Sequence, residues 1–355
     1  MENINTEWIN DYPNPLLIAG PCSAESEEQM LTTARQMKDS GNEISFFRAG
    51  IWKPRTKPNC FEGVGSIGLD WLKKVKEEVG FKTATEVANA HHIDAVLKAD
   101  VDLIWIGARS TVNPFVIQEI AEALRGTDKI VLVKNPINLD LSLWIGALER
   151  LAGQNIQKLG VIHRGFSTYN KTKYRNTPHW QIPIDFKNLF PHLPMIIDPS
   201  HICGNRTGIF SVTQEALNLD YQGMMIETHC NPDKAWSDSA QQITPQKLKE
   251  ITDNLVIRTA KTSFDEIERY RTLISDIDFQ MIELLSERMK YAEVIGELKK
   301  EKNATVFQLE RWKKITEYVE DKAKEKKLNP RFLMKLFKVI HEASIDVQNK
   351  IMLKK

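Results

Sequence analysis

The stretch LIWIGARSTVNPFVIQEIAEALRGTDKIVLVK, residues 103–134, contains the repeating unit that decides the fold. An apolar run, Leu103–Ile106, leads to Arg109. A helical stretch follows, and a second run, Ile130–Val133, ends directly in Lys134. Short unbroken apolar runs bounded by Gly, Pro and Asn read as strands buried on both faces. Working outward, the unit recurs through the first 230 residues, with further runs at Leu16–Ala19, Ile44–Phe47, Phe81–Ala84, Leu159–Ile162, Met195–Ile197 and Met224–Ile226. In chain order the eight runs are followed by Cys22, Arg48, Glu86, Arg109, Lys134, Arg164, His201 and Glu227. Eight strand-like runs alternating with helices predict an α/β (β/α)8 TIM barrel, a fold that carries its chemistry at the C-terminal ends of its strands. That rim combines potential metal ligands with cations, a setting suited to metal-dependent chemistry on anionic substrates.

Composition narrows the function classes. The 355 residues can bury a large core and predict two domains. With 42% hydrophobic and 27% charged residues, the chain is that of an ordinary globular protein. A net charge of +1 gives no reason to expect nucleic acid or an anionic membrane as partner. No segment approaches the ~18 apolar residues of a membrane span. The N-terminus MENINTEWINDYPNPLL has neither a basic nor an apolar leader region, which predicts a cytoplasmic protein. Cys22, Cys60, Cys203 and Cys230 show no CxxC spacing and are expected to be free thiols.

The chain changes character near residue 255, beyond which Pro occurs only at Pro330 and Gly only at Gly296. This predicts a barrel over 1–255, a linker over 256–262 and an all-helical domain over 263–355. Ser263 with Glu266 would form a capping box opening a helix to about Lys302. A second helix is expected over roughly Val306–Lys326, and Asn329-Pro330 opens a third that reaches about Ile351. The GxGxxG match at Gly63–Gly68 follows a loop instead of a strand, so it reads as a glycine-rich rim segment.

Cys22, His201, Glu227 and Asp238 form a mixed S/N/O set unlike a closed Cys/His structural zinc site. Such a set suits a divalent transition metal (Mn, Co, Fe, Zn or Cd) that keeps room for a substrate oxygen and acts as a Lewis acid. Arg48, Lys53, Arg55, Arg109, Lys134 and Arg164 all fall at strand ends or just after them. Convergent cations repel unless anions neutralise them, and guanidinium forks match phosphate and carboxylate. Six of them imply more than one anionic group, as two phosphorylated substrates would provide.

The four ligands and Lys53, Arg55 and Arg109 lie in Ala19–Glu25 (AGPCSAE), Lys53-Pro54-Arg55-Thr56, Gly107-Ala108-Arg109, Asp198-Pro199-Ser200-His201, Ile226-Glu227-Thr228-His229 and Ser237-Asp238. In this order the motifs resemble the β subgroup of type I 3-deoxy-D-arabino-heptulosonate 7-phosphate (DAHP) synthases over about residues 10–255. The resemblance implies condensation of phosphoenolpyruvate with erythrose 4-phosphate, the entry step of the shikimate pathway. It implies that Cys22, His201, Glu227 and Asp238 hold the metal. Arg109, Lys134 and Arg164 would hold the phosphate of phosphoenolpyruvate, with Arg48 and Lys53 near its carboxylate and reacting carbon. Arg55 and Thr56 would contact the aldose phosphate, and Glu86 is assigned to activating the attacking water. Two departures stand out: Asn135-Pro136 where relatives carry Arg-Gly, and Ala49 where they carry Gly. The competing family, 3-deoxy-D-manno-octulosonate 8-phosphate synthase, carries an Ala-Asn-Arg-Ser type of motif where this chain has Pro54-Arg55-Thr56.

The first tail helix carries an apolar stripe, Ile267, Tyr270, Ile274, Ile277, Met281, Leu284 and Ile295, expected to be its buried face. At ~100° per residue, Arg288 and Lys299 fall about 20° apart along that stripe, so an anion should meet them. Arg271 points about 100° away, toward a partner chain. The third helix has Leu333, Leu336, Phe337, Ile340, Ser344 and Val347 as its inner face, with Gln348 beside it. The tail resembles the all-helical class of chorismate mutase over about 263–351, a family of intertwined homodimers. The resemblance implies that Arg271, Arg288 and Arg311 bind the carboxylates of chorismate, with Arg271 serving the neighbouring chain's site. Lys299 and Gln348 would donate to the ether oxygen as chorismate becomes prephenate. Trp312 and Gln308 replace acidic residues frequent in that family. A tail serving as a non-catalytic dimerisation or prephenate- or chorismate-sensing module is the alternative, against which the retained polar groups argue.

Overall fold

The computed structural model of the chain describes residues 4–53, 61–169, 172–258 and 265–354. Arg55 and Thr56 lie outside the described residues, as do the side chains of the expected capping box at Ser263 and Glu266. The chain divides into two compact units, Met1–Ala260 and Lys261–Lys355.

The first unit is a closed barrel of eight strands joined in chain order. They are β1 (Leu16–Gly20), β2 (Phe46–Arg48), β3 (Thr83–Val87), β4 (Leu103–Ile106), β5 (Ile130–Lys134), β6 (Leu159–His163), β7 (Met195–Ile197) and β8 (Gly223–Glu227). All neighbours pair in parallel, and β1 closes on β8 from Leu16↔Gly223 to Gly20↔Glu227. Some boundaries differ from the apolar runs. Arg48, Glu86, Lys134 and Glu227 sit inside their strands and do not follow them. The backbone ladder ignores side-chain polarity, so it continues past the last apolar residue.

Alternation along each strand builds two apolar layers. Leu16, Ile18, Phe46, Ala84, Leu103, Trp105, Ile130, Leu132, Ile162, Ile196 and Met225 fill the interior. Trp8 joins them at the N-terminal ends of the strands, donating its indole N–H to the Leu159 carbonyl at 2.9 Å. The intervening residues, among them Leu17, Phe47, Ile104, Val131, Val161 and Met224, pack outward against the surrounding helices. By the same alternation Arg48 follows Phe46 and Lys134 follows Leu132 on the inward face, so the polar layer lies on top of the interior plug. Gly20 is required where β1 meets β2: its φ is +145°, and a Cβ there would lie 2.2 Å from the Arg48 carbonyl oxygen.

The second unit has helices Asp265–Glu301, Leu309–Glu325 and Pro330–Leu353. Asn329 caps the third, accepting from the backbone N–H of Arg331 and Phe332. At 1.5 Å per residue the first helix spans about 55 Å and the third about 36 Å. This mismatch corrects one expectation. The stripe expected to be buried is exposed in the single chain, with Ile274 58%, Ile277 56% and Leu284 66% accessible. The shorter helices of the same chain cannot cover its whole length.

Candidate functional site

The barrel mouth gathers residues from all eight strand ends or the loops after them. Sγ of Cys22 and one carboxylate oxygen each of Glu227 and Asp238 lie within 4.8 Å of one another. Cys22 and Glu227 are fully buried. His201 stands outside that trio, yet its Nε2 is 3.8 Å from Glu227 Oε1. Its Nδ1 is held 2.8 Å from Asp198 Oδ2, and Asp198 also caps the short helix Pro199–Cys203 by accepting from the His201 N–H. A carboxylate that fixes one imidazole nitrogen directs the other outward, as in metal-ligating histidines. Glu227 Oε1 is buried with no hydrogen-bond donor. Its Oε2 accepts from Gln241 at 2.7 Å.

Two ionised carboxylates and a buried thiol meet at this point. Burial pushes the Cys22 thiol up to about 12, and the Glu227 carboxylate adds to the rise. Burial would raise Glu227 too, but His201, Arg48 and Lys53 outweigh it and lower its pKa. Asp238 is likewise held well below the usual range by Arg175 and His201 despite its burial. Arg175 Nη1 donates to Asp238 Oδ1 and Gln241 Oε1, both at 2.8 Å. A thiol, an imidazole and two carboxylates converging around an unsatisfied oxygen fit a divalent transition metal.

The cations surround this group. Arg48, 1% exposed, donates from Nη2 to the Cys22 carbonyl at 3.1 Å, while its Nε and Nη1 have no hydrogen-bond partner. Lys53 Nζ donates to Cys22 Sγ at 3.2 Å. Lys134 Nζ donates to Asp198 Oδ2 at 2.8 Å, both groups being buried. Arg164 is pushed down to about 10 by burial, opposed by Asp198 and reinforced by Arg175 and Arg109. Arg109 itself is exposed on the short helix Ala108–Thr111. The departure at Asn135 is accommodated: its side chain accepts from the Arg164 N–H at 2.7 Å and donates to the Gly165 carbonyl at 2.9 Å, tying β5 to β6.

Sequence reasoning missed three members of this site. Asp198 belongs to a quoted motif, but its link between Lys134 and His201 appears only in three dimensions. Arg175 comes from the loop after β6 and carries no local signal. Trp105 looked like one more apolar residue of β4, yet its indole N–H donates to Glu86 Oε2 at 2.9 Å.

The helical unit contains a cavity of about 350 Å³ lined by Arg288, Lys299, Gln308, Arg311, His341, Ser344 and Gln348, among others. Lys299 Nζ donates to Gln348 Oε1 at 3.0 Å and to the Val306 carbonyl at 2.6 Å. Arg288 donates to Ser344 Oγ. Burial lowers the pKa of both cations. Arg271 pairs with Glu268 and does not line the cavity; it stands roughly 25 Å along the helix from Arg288. Trp312 packs against His341 with ring centroids 4.1 Å apart and planes tilted by 34°. His341 was not singled out in the sequence because position 341 shows no motif.

The model of the DAHP synthetase I family matches residues 6–262 of the 355. The chain belongs to that family. The model of chorismate mutase type II matches residues 270–349. The phospho-2-dehydro-3-deoxyheptonate aldolase of Thermotoga maritima is 29% identical over 239 residues, 67% of this chain and 68% of its own. A crystal structure of the DAHP synthase of Thermotoga maritima aligns with TM-score 0.60 at 29% identity, covering 67% of each chain. The 2-dehydro-3-deoxyphosphooctonate aldolase of Wolinella succinogenes is 28% identical over 274 residues, 68% of this chain and 98% of its own. The barrel is thus the synthase unit and the helices the mutase unit of a bifunctional enzyme of aromatic amino acid biosynthesis, a transferase and an isomerase in one chain. Type I synthases of this family are metal-dependent. No described helix is long and apolar enough to cross a membrane.

Proposed function

We propose that the synthase unit condenses phosphoenolpyruvate with erythrose 4-phosphate beside a divalent metal held by Cys22, His201, Glu227 and Asp238. The observation that carries this reading is the buried Arg48 guanidinium, with two unused N–H groups, next to three ligand atoms within 4.8 Å of one another. When bound, the metal acts as a Lewis acid on the aldehyde carbonyl. The chain's own residues do the rest. Lys134, Arg164 and Arg109 hold the phosphate of phosphoenolpyruvate, with Asp198 fixing the Lys134 ammonium. Arg48 and Lys53 grip the carboxylate end, while Arg55 and Thr56 orient the aldose phosphate. The C2–C3 π pair of phosphoenolpyruvate forms the new bond to the aldehyde carbon, while the carbonyl π pair moves to oxygen, which takes up a proton and becomes a hydroxyl. Water adds to the electron-poor C2, giving a proton to Glu86; the C2 hydroxyl then collapses to the ketone as the C2–O bond breaks, and phosphate leaves with the bonding pair and the hydroxyl proton. Stripping the metal and restoring single ions tests this: DAHP formation should vanish and return. Turnover of arabinose 5-phosphate but not erythrose 4-phosphate would overturn the choice of substrate.

In the mutase unit, Arg288 and Arg311 meet the two carboxylates of chorismate, and Lys299 and Gln348 donate to the ether oxygen as it gains negative charge. A pericyclic rearrangement needs only this preorganisation. The exposed stripe on the first tail helix supports a homodimer in which Arg271 completes the neighbour's site. Residues 256–262 serve as the linker, and the enzyme works in the cytoplasm. Chorismate or prephenate bound to the mutase unit inhibits the synthase. Lys299→Ala in the full chain should abolish chorismate consumption and leave DAHP formation intact. Saturating prephenate and chorismate without effect on the synthase rate would refute the coupling.

A further inference from the structure

We infer that Trp105 is a positioning residue of the synthase site, its indole holding Arg48 through the ring face and Glu86 through the ring N–H. This rests on the roles proposed above for those two residues. Trp105 is fully buried near the top of β4, on the same inward face as Leu103. A buried indole needs an acceptor for its single N–H. It finds one in the Glu86 carboxylate, Nε1 to Oε2 at 2.9 Å. The opposite edge of that carboxylate is boxed in, since a Cβ on Gly107 would lie 2.2 Å from Oε1. Glu86 is therefore confined between an N–H donor and a residue that has no side chain.

The ring face does a different job. The Arg48 guanidinium carbon lies 4.8 Å from the ring centroid, and Lys134 Nζ lies 5.8 Å from it. A π face attracts a cation without consuming its hydrogens. Arg48 Nε and Nη1 are buried and make no hydrogen bond, so both remain available to an anionic ligand. An Asn or Glu in place of Trp105 would hold Arg48 by taking those N–H groups. An aliphatic residue is smaller than the indole, and it would leave a cavity and the guanidinium without a π face to rest on.

The two contacts can be separated. Trp105→Phe keeps an aromatic face and loses the N–H; Trp105→Leu loses both. Steady-state kinetics of the metal-loaded full-length enzyme should show kcat about tenfold lower in Trp105→Phe, with KM for phosphoenolpyruvate within about twofold of the parent. Trp105→Leu should lower kcat similarly and also raise that KM by about tenfold. If Trp105 were only packing, any loss of kcat in Phe or Leu would follow melting temperature, without a change in KM. That result overturns the inference. If Trp105→Leu does not fold, kcat of Trp105→Phe alone decides it. Failure of the proposed function is distinguishable, because the parent itself would then show no phosphoenolpyruvate-dependent release of phosphate.

Discussion

Asp198→Asn removes one charge from the point where the barrel's buried electrostatics meet. Asp198 is fully buried. Its carboxylate accepts from Lys134 Nζ at 2.8 Å, from the His201 backbone N–H at 3.1 Å, and lies 2.8 Å from His201 Nδ1. Asparagine has nearly the same shape and keeps one acceptor for the cap. What it loses is the charge opposite Lys134, which is only 4% exposed. Breaking a buried ion pair by neutralising one member costs about 3–5 kcal/mol, and the retained acceptor places this case at the lower end, about 3 kcal/mol. Denaturant unfolding followed by circular dichroism, read at the barrel transition, measures it. Burial would raise the Asp198 pKa, but His201 and Lys134 hold it well below the usual range. A depressed folded pKa means the stabilisation is complete above the ordinary carboxylate pKa of about 4 and is lost only as pH falls through the lower folded value. The gap between parent and variant should therefore stay constant from about pH 7 to pH 8, where His201 is neutral, and the part of it that belongs to Asp198 is lost only in stronger acid. His201 loses its orienting partner as well, so metal affinity should fall about 10- to 100-fold. A destabilisation below about 1 kcal/mol with unchanged metal affinity would refute the reasoning.

Three further outcomes follow from the same geometry. Gly107 has φ −71° and ψ 153°, open to any residue, but its Cβ would meet Glu86 Oε1 at 2.2 Å; Gly107→Ala should melt within about 3 °C of the parent while kcat for DAHP falls about tenfold or more. Dialysis against a chelator should abolish DAHP formation and leave chorismate consumption unchanged, since only the barrel gathers a sulfur and two carboxylate oxygens within 4.8 Å among the described residues; equal loss of both activities would contradict this division. Ile277→Glu places a charge on an exposed apolar stripe; sedimentation should shift from dimer toward monomer, and mutase activity should fall with it if Arg271 serves the neighbouring chain.

Much of the barrel was legible because its physical signal is local. A strand buried on both faces must be apolar throughout, and a helix between two strands must restart the pattern, so eight runs appear without reference to three-dimensional contacts. The rim was legible for the same reason: Arg48, Lys134 and Glu227 are polar residues closing apolar runs. Trp105 was hidden because an aromatic residue within an apolar run is the ordinary case, and only its neighbours give it a polar task. His341 was hidden because its partner, Trp312, is on another helix. The stripe from Ile267 to Ile295 was visible as a pattern, but its period cannot tell whether the covering surface belongs to the same chain.

By itself the sequence determined the order of strands and helices, the boundary region after the last strand and the side-chain types at each strand end. These follow from periodicity, turn chemistry and the alternation of a strand, all of which act within a few residues. Tertiary structure decided which of those side chains meet. Barrel closure brings Gly20 of β1 beside Glu227 of β8, and so sets Cys22 and Asp238 around one point. It also places Trp105 between Arg48 and Glu86. Distances of this kind depend on strand pairing and closure across the whole unit, and no short stretch of residues encodes them.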